Sequence, residues 1–115
     1  MSDGTVRNRG YAEQGRDFSG LRFGRITPTD IDGMIDFQGR FWVFIEVKFG
    51  EAGLPMGQRI ALERLTDALR RGGCEAAVLV GRHMTPFADQ IDVGACNVTE
   101  YRYRGRWIRP SRVVS

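Results

Sequence analysis

The chain has 115 residues, 42% of them hydrophobic and 27% charged, with a net charge of +3. That size and balance describe one globular domain with a single core and exclude both a disordered chain and a two-domain enzyme. No apolar run is long enough to span a bilayer, the first residues, Met1 to Gly4, lack the apolar stretch of a signal peptide, and Cys74 and Cys96 form no metal-binding spacing, so a cytoplasmic chain with reduced thiols and no membrane partner is expected.

The charge is unevenly placed. Residues 29–100 hold eleven acids and seven bases, whereas residues 101–115 hold five arginines and no acid. All sixteen arginines stand against one lysine, Lys48. Arginine is a planar fork that stays protonated, and lysine is a compact point charge whose proton affinity shifts on burial.

In chain order, residues 2–10 carry little apolar content and no clear element, and a weak helical signal runs from Tyr11 to Phe18. Leu21 to Ile26 alternates apolar and polar residues, which predicts a strand ended by Thr27-Pro28-Thr29. Asp30 to Phe37 and Phe41 to Lys48 read as two strands joined by Gln38-Gly39-Arg40, a connection short enough only for an antiparallel hairpin. Phe49 to Pro55 is a loop by its glycines and proline. Gly57 to Arg71 is an amphipathic helix with Leu62, Leu65 and Leu69 on one stripe, stopped by Gly72-Gly73. Glu75 to Gly81 is a short apolar strand, and the strand, helix, strand order implies parallel pairing through a crossover. Arg82 to Ala95 is irregular, with His83 expected as an exposed loop residue, and Asn97 to Arg104 with Arg106 to Arg109 forms a closing hairpin around Gly105.

The first hairpin makes a countable prediction. Opposed residues of an antiparallel pair share a face, and their positions sum to a constant. A three-residue turn sets that constant at 78, which pairs Asp32 with Glu46 and Asp30 with Lys48. A two-residue turn sets it at 77 and sends Glu46 to the other face. Gly39 can supply the left-handed residue that three-residue turns often require, which favours the first register. Two carboxylates about 5 Å apart repel each other, and a divalent cation removes the conflict. Hard oxygen ligands of this kind suit Mg²⁺ or Mn²⁺. Lys48, two residues from Glu46, points to the same face and adds a cation for developing negative charge. In outline this is a site for phosphodiester hydrolysis.

Asp32, then Glu46-Val47-Lys48, then a helix opening with Gly57-Gln58-Arg59 resembles the PD-(D/E)XK nuclease superfamily, with its restriction-endonuclease-like fold, over roughly residues 30–80. The resemblance implies an α/β fold with a central mixed β-sheet flanked by helices, a metal held by Asp32, Glu46 and the Val47 carbonyl, a water positioned by Lys48, and Gln58 close by. The superfamily's Pro-Asp pair is absent. Pro28 lies four residues before Asp32, and Asp30 is an additional aspartate with a role as an outer or second-metal ligand left open. Asp36 lies roughly 13 Å along the strand from Asp32 and is expected to be a hairpin-end charge. Glu13 is a candidate for an acidic contribution from the first helix. Gln58 leads the Leu62 and Leu65 stripe, so its amide requires partners, either at the site or in the Gly53-Leu54-Pro55 loop.

The aromatic-basic tail has the composition of a phosphate-backbone grip, which assigns Arg102, Arg104, Arg106, Trp107 and Arg109 to nucleic acid. The alternative is a terminal hairpin with Tyr101 and Tyr103 inward and Arg102 and Arg104 in water. The expected function is metal-dependent cleavage of nucleic acid, DNA before RNA, selective for structure rather than sequence because the chain has no room for a recognition domain. A binding module that keeps the fold without catalysis is the alternative. Small size also favours a homodimer.

Overall fold

The structure is a computed structural model that describes residues 17, 20–50, 52–84 and 91–111. One five-stranded mixed sheet runs in the order β1 (Gly33–Phe37), β2 (Phe41–Phe49), β3 (Glu75–His83), β4 (Asn97–Tyr103) and β5 (Arg106–Ile108). Helix α1 (Met56–Arg71) joins β2 to β3, the parallel pair, and every other neighbouring pair is antiparallel. Parallel neighbours need a long crossover and α1 provides it, whereas β1/β2 and β4/β5 close through short turns.

The β1/β2 turn explains the register. Gly33 pairs with Ile45 and Phe37 with Phe41, so opposed positions sum to 78. Gln38 and Gly39 both take positive φ, at 57° and 74°, and Arg40 donates its N–H back to the Phe37 carbonyl at 3.2 Å. Two successive left-handed residues match the twist of the flanking strands, and Arg40 makes the loop odd in length.

Alternation along β2 then decides the two faces. Trp42, Phe44, Glu46 and Lys48 share the face toward α1, with Phe44 and Glu46 buried. The core is Phe44, Leu62, Val78 and Val80, flanked by Ile31, Trp42, Leu54, Leu65, Leu69 and Trp107. Leu62 and Val78 are among the most deeply buried side chains, and the Leu62, Leu65, Leu69 stripe packs at helical spacing. Gly72 and Gly73 end α1, Gly73 at φ 91°, with Cys74 N–H bonded to the Leu69 carbonyl at 2.9 Å and Gly73 N–H to that of Arg70 at 3.0 Å. This doubly bonded left-handed stop satisfies carbonyls that the helix end would leave free.

Three expectations change. Leu21 to Ile26 is not a strand: Phe23 and Ile26 bond to each other across a tight two-residue turn with Gly24 at φ 65°, so the apolar alternation there belongs to a reversal too short to ladder. The sheet is not flanked by several helices: among the described residues α1 is the one α-helix, joined by a short 3₁₀ turn, Val93–Ala95. β3 continues two residues beyond Gly81, so His83 is a half-buried strand residue whose ring meets Phe49 edge-on at 5.5 Å. The helical signal at Tyr11 to Phe18 and the Glu13 candidate lie outside the described residues. No helix among the described residues is long and apolar enough to cross a membrane.

Candidate active site

The site forms where β1, β2 and the first turn of α1 meet. Asp32 immediately precedes β1, and the 78 register, extended one residue past Gly33, sets it across from Glu46. Its Oδ2 accepts the Val47 N–H at 2.7 Å, which ties the aspartate to the strand that carries the other acid. Lys48, two residues further along β2, places Nζ 3.9 Å from Glu46 Oε2 and donates to Gln58 Oε1 at 3.1 Å. Gln58 in turn donates from Nε2 to the Asp30 carbonyl at 2.9 Å. Four side chains separated by up to 26 positions thus converge through the hairpin, the helix start and the strand geometry.

Glu46 is the electrostatic centre. It is 0% exposed, and neither of its carboxylate oxygens has a hydrogen-bond partner. Burial first, and then the charge of the neighbouring Asp32 carboxylate, push its carboxyl from the ordinary 4.5 up to about 7, against the opposing pull of Lys48. A buried acid without donors costs free energy that an ordinary core position avoids by being apolar. Two hard oxygen groups facing each other, one of them orphaned, fit a divalent cation that also takes water and substrate oxygens. Among the described residues no three His, Cys, Asp or Glu side chains come together, so any cation here relies on the carboxylate pair, a backbone oxygen and outside ligands.

Each remaining candidate has a definite place. Asp30 contributes its backbone carbonyl, to Gln58. Asp36 accepts the Gly39 N–H at the hairpin tip and serves the turn. Gln58 turns to Lys48 and Asp30 rather than to the Gly53-Leu54-Pro55 loop.

The basic tail divides into two sets. Arg102 is 8% exposed and lies under α1, 3.1 Å from Asp67 and 3.9 Å from Glu63. Trp107 is half-buried, donates Nε1–H to Glu63 at 2.6 Å and carries the Arg59 guanidinium 4.3 Å above its ring. Pairing of Val78 with Arg102, and of Arg102 with Trp107, puts both on the helix face, whereas Tyr103 lies on the other face, stacked on Phe41. Arg102 therefore points inward, contrary to a hairpin with Arg102 in water. Arg104 and Arg106 are exposed, and Arg109, 81% exposed, stands 3.8 Å from Glu100.

Arg82 was not singled out by the sequence. Paired with Lys48 across β2 and β3, it donates to the carbonyls of Gly50 and Ala52 at 2.8 and 2.6 Å, fixing the loop between Lys48 and α1. Its only sequence signal is its distance past Gly81, which becomes meaningful once β3 is extended. Comparison with known protein families, with characterised proteins and with solved structures finds no match to this chain.

Proposed function

We propose that the chain is a metal-dependent nuclease, hydrolysing phosphodiester bonds of nucleic acid with Asp32, Glu46, Lys48 and Gln58 as its working residues. The observation that carries the reading is the buried Glu46 carboxylate, without a hydrogen-bond partner, set against Asp32 and 3.9 Å from the Lys48 ammonium. The order of hairpin, helix and parallel strand supports a restriction-endonuclease-like core, and the described arrangement accommodates the site that such a core carries.

Asp32, Glu46 and the Val47 carbonyl would hold Mg²⁺ or Mn²⁺, which when bound polarises a phosphoryl oxygen and lowers the pKa of water. Lys48 supplies the positive charge beside the attacked phosphate and a donor that orients the incoming water. Gln58 fixes Lys48, since its amide is held at the other end by the Asp30 carbonyl. An ammonium pinned by one bond loses less freedom when substrate arrives than a free one.

The test is cleavage of labelled duplex, single-strand, flap and four-way-junction substrates in Mg²⁺, Mn²⁺ or EDTA. Wild type should cut only with a divalent ion, and Asp32→Ala and Lys48→Ala should each abolish cutting while retaining the fold by circular dichroism. Binding without cutting in every metal, unchanged in both variants, would instead establish a non-catalytic binding module.

A further inference from the structure

Beside the site lies an open groove of about 610 Å³ lined by two exposed arginines. One wall is the extended segment carrying Arg25, Thr27 and Thr29, and the other is a face of α1 carrying Gly57, Ala61 and Arg64. Gly57, Ala61 and Arg64 stand at i, i+4 and i+7, a helix face next to the core stripe. Two of these three side chains are absent or small, which leaves this wall clear: a Cβ on Gly57 would meet nothing within 4 Å. Gln58 and Asp30 also line it, so it opens onto the Lys48 end of the site.

Arg25 and Arg64 are exposed and make no ion pair or hydrogen bond among the described residues, whereas Arg59, Arg82, Arg102 and Arg104 are all engaged with acids or carbonyls. The first turn of α1 adds no acid and no side-chain cap. The one carboxylate in the groove, Asp30, stands beside Gln58. Its lining includes no aromatic ring on which a base stacks, but offers cations, hydroxyls and short aliphatic surface. Such a lining recognises a sugar-phosphate backbone rather than bases. Its volume is that of a drug-sized ligand, about one or two nucleotides of a strand, and far short of a duplex.

We propose that this groove binds a single-stranded arm of a nucleic-acid substrate, with Arg25 and Arg64 gripping backbone phosphates, and leads that strand to the Asp32, Glu46 and Lys48 site. The delivery step rests on the nuclease reading, whereas strand binding does not. The substrate class that follows is a nucleic acid with a single-stranded element, such as a flap or an overhang.

The experiment measures binding by fluorescence anisotropy in EDTA, where cutting cannot interfere, with labelled oligo-dT and oligo-rU strands and a blunt hairpin duplex. Charge reversal of both arginines, Arg25→Glu with Arg64→Glu, should weaken strand binding at least about tenfold and make the salt dependence shallower by about 1.4 in log-log slope, two single-strand phosphate contacts' worth. Ala61→Trp, which fills the groove without changing charge, should weaken strand binding while leaving the duplex unaffected. Arg40→Glu, which changes the charge at the hairpin tip by as much as either single reversal, should have a much smaller effect than Arg25→Glu or Arg64→Glu alone. Unchanged strand binding in the double variant, or an equal loss in Arg40→Glu, would overturn the proposal. DNA and RNA strands bound alike would support backbone recognition, and strand binding intact in a wild type that never cuts would refute the nuclease reading alone.

Discussion

At the scale of single residues, the site's chemistry is concentrated in Glu46. Its folded carboxyl titrates near 7 against an ordinary 4.5, so the folded chain holds a proton that the unfolded chain releases. The resulting stability is fully present below about pH 4.5 and is lost as pH rises through 7. In EDTA, urea unfolding of wild type should therefore show Glu46 costing about 1–3 kcal/mol more at pH 8 than at pH 5. Glu46→Gln should remove that dependence and be the more stable protein at pH 8. Millimolar Mg²⁺ or Mn²⁺ should restore wild type at pH 8 and leave Glu46→Gln unmoved; identical pH profiles for the two proteins would show that the carboxyl is not strained. Lys48 carries a second residue-scale prediction. In a chain that otherwise uses arginine throughout, Lys48→Arg keeps the charge but replaces a point donor with a fork. Cleavage should fall at least about a hundredfold, as for loss of a positioned donor to developing charge, and wild-type rates in this variant would reduce Lys48 to a simple counter-charge.

At the scale of elements, the Gln38-Gly39-Arg40 turn decides whether there is a site at all, because one residue fewer turns Glu46 to the opposite face of the sheet. Gln38 takes φ 57° without being glycine, which costs a residue with a Cβ about 1 kcal/mol or more. Gln38→Gly should accordingly raise the unfolding free energy by about 0.5–1 kcal/mol with cleavage unchanged, and Gly39→Val should lower it by about 1–2 kcal/mol. Deleting Arg40 should abolish cleavage even in whatever fraction remains folded; retained activity would mean that the register survives by a bulge. This register was legible in the sequence because it follows from counting residues and placing one glycine, as were α1 from its leucine spacing and the parallel pairing from the crossover. The Leu21 to Ile26 segment misled because a two-residue reversal has the same apolar alternation as a strand. His83 misled because the end of β3 is set by its partners, β2 on one side and β4 on the other, rather than by its own composition. Asp32, Glu46 and Lys48 were legible as a group. The Gln58 bond to the Asp30 carbonyl was not, since a backbone acceptor leaves no trace in residue type.

At the scale of the molecule, the tail's arginines answer to two demands that composition alone does not separate. β4 and β5 close the sheet, and α1 crosses above them, so alternate residues of the tail face the helix. Arg59 bonds Glu100 through both terminal nitrogens, at 2.8 and 3.3 Å, while its guanidinium covers Trp107. Glu63 and Asp67 take Trp107 and Arg102 from the same side. The helix is thereby fastened to the closing hairpin by ionic and aromatic contacts at half-buried positions, where desolvation strengthens each interaction and raises the cost of removing one partner. Trp107→Ala should destabilise the fold by about 3 kcal/mol through lost packing and the lost bond to Glu63, and Arg102→Ala by about 1–3 kcal/mol, because its partners keep partial access to water. Neither should weaken strand binding when measured well below its melting temperature. The outward arginines should show the reverse: Arg104→Ala with Arg106→Ala should leave the melting temperature nearly unchanged and reduce affinity for duplex more than for single strand if the groove at the other end of α1 takes the strand, as proposed. A loss of nucleic-acid affinity in Arg102→Ala, with stability intact, would mean that the inward-facing arginine is released on binding and that the tail grips the backbone as a whole.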